Sequence, residues 1–196
     1  MARTAFASVR AMSDSASGTP LETAPTSPAH PRFAEALAEL GLTVEVRRFP
    51  EATRTAAQAA AAIGCELSQI VKSLIFTASG SPLSERSREL GGSEPVLVLM
   101  DGSARVDVER LRTELGAGTV GRADAELVRA ATGYAIGGVP PFGHRTRTRV
   151  LADRGLLAHD TVWAAAGTPH TVFPLDPASL IEYAQGRVVD VRERTS

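Results

Sequence analysis

Lys72 is the residue whose type and place in this sequence ask for a chemical explanation. It lies inside Ile70-Val71-Lys72-Ser73-Leu74-Ile75-Phe76, with Ile70, Leu74 and Phe76 on one face and Val71 and Ile75 on the other. A strand apolar on both faces is a buried strand. An ammonium placed there loses its proton, finds an anion, or opens onto a polar cavity. The other chemistry-bearing stretch is Gly133-Tyr134-Ala135-Ile136-Gly137-Gly138-Val139-Pro140-Pro141-Phe142-Gly143. Its glycines let bare backbone approach a ligand, and its prolines fix neighbouring dihedrals. Each stretch alone has a plainer reading: a lysine with packed stem and solvated head, and a tight turn between strands. The central place of Lys72 favours a pocket, and the pair predicts a cation and rigid backbone opening onto one hollow.

The remaining candidates are weaker. If His144-Arg145-Thr146-Arg147-Thr148-Arg149 is extended, Arg145, Arg147 and Arg149 share a face and form a phosphate-gripping row. A charged edge strand protected from pairing is an equal reading. Cys65 follows a helix stop and reads as packing, not as a nucleophile. His144 and His159 are bases by residue type only and read as solvated surface. No Cys/His spacing fits a metal, no Ser/His/Asp set or reactive-cysteine motif stands out, and no cofactor is expected.

The 196 residues carry a net charge of −1, with 43% hydrophobic and 22% charged residues. This is the profile of a soluble globular chain and argues against a protein that coats long nucleic acid. A domain of about 160 residues buries roughly 70% of its unfolded surface, so it needs no staple. One cysteine and no apolar run of spanning length suggest a reducing cytoplasm and no membrane role.

Residues 1–31, rich in Ser, Thr, Ala and Pro, read as a disordered tail, and residues 32–196 as one domain. Phe33, Ala36, Leu37 and Leu40 predict a first helix, and Val44 to Phe49 a strand-like piece. A helix over 55–63 precedes the lysine strand. Residues 78–95 read as a mobile surface insertion, followed by a buried strand over 96–100. Asp107 and Asp124 are helix caps, and Asp176-Pro177 opens a last helix. Short strands are expected over 119–122, 150–153, 161–165, 170–173 and 187–191. This order does not alternate regularly. It predicts an α/β (α+β) fold with a mixed, curled sheet or partial barrel flanked by helices.

Ala59 to Phe76, AAAAIGCELSQIVKSLIF, and Thr132 to Gly143, TGYAIGGVPPFG, resemble the YbaK-type aminoacyl-tRNA deacylases and the editing domain of bacterial prolyl-tRNA synthetases. The family's Gly-x-x-x-Pro loop falls on Gly137 to Pro141, and WAAAGTPHTVFPLDPASL is similar to its last strand and helix. The resemblance covers roughly Arg32 to Val191. It implies hydrolysis of the ester joining a wrong amino acid to the end of a tRNA, for example Cys or Ala on tRNA-Pro. By resemblance, Lys72, Gly137 and Gly138 are the catalytic positions, while Phe49, Ser73, Val139, Pro140, Pro141 and His170 line the substrate site. The implied partners are the aminoacyl-tRNA acceptor end and an aminoacyl-tRNA synthetase, and the implied mechanism draws on the substrate's own 2′-hydroxyl. The alternative is a non-catalytic module of the same fold that senses tRNA ends or aminoacyl-adenosine. A phosphate- or nucleotide-binding role for the glycine loop is weaker, because the loop leads into prolines, not into a helix N-terminus.

Overall fold

Strand β3 (Ser93–Asp101) carries the architecture, because both of its faces are apolar and both are covered. Leu97 and Leu99 enter one hydrophobic cluster, while Val96, Val98 and Met100 enter another, each residue fully buried. The period-two alternation of side chains thus splits the core into two layers. This computed structural model describes residues 30–49, 55–80 and 93–194.

Around β3 lies a five-stranded mixed sheet in the order β4-β2-β3-β5-β8, with β2 at Val71–Ser79, β4 at Thr119–Arg122, β5 at Arg149–Asp153 and β8 at Arg187–Val189. β2 runs antiparallel to β3 and β4, while β5 is parallel to both β3 and β8. A second sheet has the order β1-β7-β6, from Arg47–Arg48, Thr171–Leu175 and Val162–Ala165. The two sheets stay open, joined by one parallel bridge from Ile70 to Trp163. Five α-helices flank them among the described residues: α1 (Pro31–Glu39), α2 (Ala56–Ile63), α3 (Val108–Leu115), α4 (Ala125–Thr132) and α5 (Pro177–Tyr183).

The helix ends follow local chemistry. Thr55 and Gln58 form a capping box, and Asp107, Asp124 and Asp176 each accept backbone N–H bonds at their helix starts. Helix α1 buries Phe33, whose ring stacks on Phe142 and tilts against Phe173. The same helix sits where side chains would grow from two turn glycines. A Cβ on Gly143 would meet that of Ala36 at 2.6 Å, and one on Gly167 would collide with the Cβ of His30.

Three expectations need correction. The loop expected over 78–95 is shorter at both ends, because the β2–β3 ladder continues through Ala78–Glu94 and Ser79–Ser93. Residues 81–92 lie outside the described residues, as does the expected tail up to residue 29. The strand expected from Val44 shrinks to Arg47–Arg48, since Val44 and Val46 pack against the core without a ladder partner. The arginine row is not one extended strand. Its start is hooked to the end of α4, with Arg145 N–H bonded to the Thr132 carbonyl and Thr146 N–H to that of Ala131, both at 3.0 Å. β5 begins only at Arg149.

The C-terminal segment is fastened by a charge cluster. Arg192 bonds the carboxylates of Asp101 and Asp153, which are 2% and 1% exposed. The Asp101 carboxylate also accepts from Ser103 and Ala104. Two buried carboxylates are tolerable only with such partners.

Candidate functional site

A cavity of about 350 Å³ opens between the N-terminal half of β2, helix α2, strand β6 and the turns at 136–139 and 168–172. Its walls are mostly apolar, with Ala59, Ile70, Ile75, Val128, Val139, Trp163 and Val172 prominent. Ile136, 60% exposed, stands at its rim. An apolar hollow with a few placed polar groups is the usual form of a small-ligand site.

The polar groups come from the edge of β2. β4 pairs with β2 only from Phe76 to Ser79, and Ala123 N–H reaches the Ile75 carbonyl at 3.0 Å. On the other side, the sheet junction lies at Ile70. Between these points no described strand pairs the outer edge of β2. Ile75 and Ser79 direct their carbonyls away from β3, so alternation turns the Ser73 N–H and C=O the same way, towards the cavity. The Ser73 side chain shares a face with Val71 and Ile75, and its buried hydroxyl has no hydrogen-bond partner among the described residues. An unsatisfied buried hydroxyl costs about 1–3 kcal/mol, an expense that a bound polar group would remove.

The predicted cation does not join this set. Lys72 contributes to the cavity wall, but its ammonium is on the other face of β2, with Leu74 and Phe76. There it donates to the Gly102 carbonyl at 3.1 Å and to the carbonyl of Ala104. The side chain follows strand alternation, and the glycine loop covers the opposite face through Val139, which packs with Val71 and Ile75. Burial lowers the Lys72 pKa, Asp101 opposes this, and the Arg122 and Arg105 charges lower it further.

The loop contributes shape more than free donors. Gly137 and Val139 line the cavity, whereas Gly138, Pro140 and Pro141 do not. The Gly138 N–H is committed to the Ala135 carbonyl at 3.0 Å, so at this expected catalytic position it is not an open donor for a substrate oxygen. His144, expected on solvated surface, is tucked under the loop with Nε2 at 2.8 Å from the Pro140 carbonyl. Burial holds its pKa below the ordinary value, only partly offset by that bond. Tyr134 O–H donates to the Gly143 carbonyl at 3.1 Å and closes the other end.

The sign of the His144 effect is definite. Its folded pKa lies below its unfolded value of about 6.5, so the unfolded chain takes up the proton first. Stability is therefore lost as pH falls from about 6.5 towards the lower folded value. Thermal unfolding between pH 7 and 5 is expected to show a smaller fall in Tm for His144→Gln, which can still donate to Pro140 but does not titrate. Equal pH slopes in the two proteins would remove His144 as the cause.

Other predicted residues are placed as follows. Phe49 is buried beside Ala59, Ile70 and Trp163, behind the wall. His170 does not line the cavity, although its neighbours Thr168, Pro169 and Thr171 do. Its Nδ1 is buried without a partner among the described residues. Arg145, Arg147 and Arg149 line no part of the cavity, and Arg149 sits 4.0 Å from Glu94. Burial raises the Cys65 pKa, which keeps the thiol protonated. Among the described residues, no group of three His, Cys, Asp or Glu side chains could hold a metal ion. No described helix is long and apolar enough to cross a membrane. Sequence reasoning missed the open edge of β2, Trp163 and Thr171. The single tryptophan in a short apolar run was a usable signal for the second of these, but nothing local marked the first.

The mixed α/β fold with open sheets matches that of YbaK-type aminoacyl-tRNA editing domains. The chain belongs to that family: the model of the aminoacyl-tRNA editing domain matches residues 50–183. Among curated proteins it is 31% identical over 148 residues to the uncharacterised protein YwhH of Bacillus subtilis, a match covering 75% of this chain and 86% of that one. It is also 31% identical over 103 residues to the proline–tRNA ligase of Maridesulfovibrio salexigens, covering 53% of this chain and 15% of the ligase. A solved structure described as a candidate trans-editing enzyme for prolyl-tRNA synthetase has a TM-score of 0.72 and 38% identity, covering 83% of this chain and 96% of that one.

Proposed function

We propose that the protein is a free-standing deacylase that clears wrongly attached small amino acids from the acceptor end of tRNA, with tRNA-Pro as the leading substrate. The observation that carries this is the apolar cavity floored by the unpaired Ser73 edge, in a chain of the editing-domain family. The aminoacyl side chain occupies the apolar part, against Ile75, Val139 and Trp163. Its ester end lies against the Ser73 main chain and hydroxyl, where hydrogen bonds orient the carbonyl. Gly137 and Val139 close over it, held by Gly138, Pro140 and Pro141, with Phe49 and His170 supporting the wall from behind.

In the reaction a water oxygen attacks the ester carbonyl carbon. The bond between that carbon and the ribose oxygen breaks, the ribose oxygen takes one of the water's two protons, the other passes to solvent, and the amino acid leaves as its carboxylate. Lys72 and Arg122 are the ionisable residues on the described cavity wall, so a proton acceptor from the substrate, such as the neighbouring 2′-hydroxyl, fits this site. The cell compartment that suits such work is the cytoplasm.

Purified protein assayed on a panel of misacylated tRNAs is expected to release one or a few small amino acids well above the rate in buffer. Ser73→Ala is expected to lower kcat/KM about tenfold, the loss of one oriented hydrogen bond of about 1.4 kcal/mol. Its stability should be equal or higher, because an unsatisfied hydroxyl is removed. Tight binding of an aminoacyl-adenosine analogue without turnover would instead support the non-catalytic sensor. Neither binding nor turnover would sink both readings.

A further inference from the structure

We infer that the hollow on the opposite face of β2 is a phosphate-binding site, with Lys72, Arg105 and Arg122 as its cations. This second hollow, about 650 Å³, is bounded by Leu74, Phe76 and Val106 and carries those three cations, with Glu193 the one carboxylate on its wall among the described residues. Asp101, the nearest buried acid, is already held by Arg192 and Ser103. The Lys72 ammonium uses two of its three N–H donors on the Gly102 and Ala104 carbonyls, which fixes it in place and leaves one donor free. Arg105 and Arg122 are exposed, and no hydrogen bond or ion pair holds either guanidinium among the described residues. Their charges also bear on Lys72, where they weaken its hold on its proton. Three cations around one hollow, two of them lowering the pKa of the third, are relieved by an anion with several acceptor oxygens. A phosphate group meets that need and suits guanidinium forks.

Position gives the site a use. Lys72, Leu74 and Arg122 line both hollows, so the two meet around the open edge of β2. A ligand with its acyl group in the first cavity can therefore pass over that edge and set a phosphate in the second. This link rests on the deacylase reading; the phosphate site itself does not.

The test uses unacylated RNA, so it reads binding whatever the outcome of deacylation. A labelled single strand ending in CCA is titrated by fluorescence anisotropy against the full-length protein at several salt concentrations. In parallel, inorganic phosphate is offered as competitor. The Arg105→Gln/Arg122→Gln double variant is expected to bind about tenfold more weakly at low salt. Its log–log salt slope should be shallower by about 0.7 for each phosphate that is no longer neutralised. Arg154→Gln, on exposed surface elsewhere, should match wild type. If inorganic phosphate binds and depends on the two arginines while RNA does not bind, the site stands and its ligand is free phosphate. Unchanged affinity and slope in the double variant, or an equal loss in Arg154→Gln, would overturn the inference.

Discussion

Gly138→Ala is expected to cripple the protein, because the added methyl group would press on main chain across the cavity wall. A Cβ at this position would lie 2.8 Å from the Thr168 Cα, 2.9 Å from the Gly167 carbonyl oxygen and 3.0 Å from the Thr168 carbonyl carbon. All three are main-chain atoms, which cannot swing aside as the end of a side chain can. Relief requires the 136–139 segment to lift from the 167–169 turn, and both line the same cavity. Overpacking of this kind costs about 1–3 kcal/mol. A displacement of about 1 Å at the substrate wall is expected to lower kcat/KM by about a hundredfold. Urea unfolding and deacylation assays read the two effects separately, and the first does not depend on the proposed activity. Gly121→Ala is the control, since its Cβ would make only an ordinary 3.5 Å approach to Thr77. Wild-type stability and cavity binding in Gly138→Ala would show that the two turns are not pressed together.

Arg192→Met is the second large effect, and it acts on stability alone. The substitution strands Asp101 and Asp153, both almost fully buried, without their shared cation. Breaking a buried ion pair from one side costs about 3–5 kcal/mol; the arginine's 36% exposure points to the lower end. The urea midpoint should fall with little change in slope. Burial pushes the Asp101 carboxyl upward, but the Ser103 hydrogen bonds and the Arg192 charge outweigh it and hold the group below the usual carboxylate range. A depressed folded pKa gives stability that is present above the unfolded value of about 3.9 and disappears as pH falls through the folded one. Without Arg192 that acid transition should begin at a higher pH. A loss below about 1 kcal/mol would mean that water replaces the guanidinium freely.

Local signals were legible where one segment determined its own form. The Asp caps at 107, 124 and 176 act as caps, and the two-faced apolar runs at β2 and β3 are buried strands. The alternation that placed Lys72 with Leu74 and Phe76 also holds. What could not be read was which face of β2 the glycine loop would cover, because that depends on connections between distant segments. The same limit applies to the unpaired edge at Ser73, a consequence of β4 ending at Arg122 and the bridge to Trp163 of β6 falling at Ile70. The arginine row failed for a different reason. Backbone bonds to the end of α4 override the extended conformation that its composition suggested.

Helix α1 precedes the segment that marks the chain as an editing domain, yet His30 and Ala36 fill the space above Gly167 and Gly143. The Gly167 turn leads directly into Thr168 and Pro169 on the cavity wall. A clone cut at the family boundary near residue 50 would therefore leave two bare notches and unseat Phe33 from its aromatic neighbours. A version of this protein that keeps both turns covered is expected to begin no later than His30, and a fusion partner attached there would sit against the turn that leads into the cavity wall at Thr168.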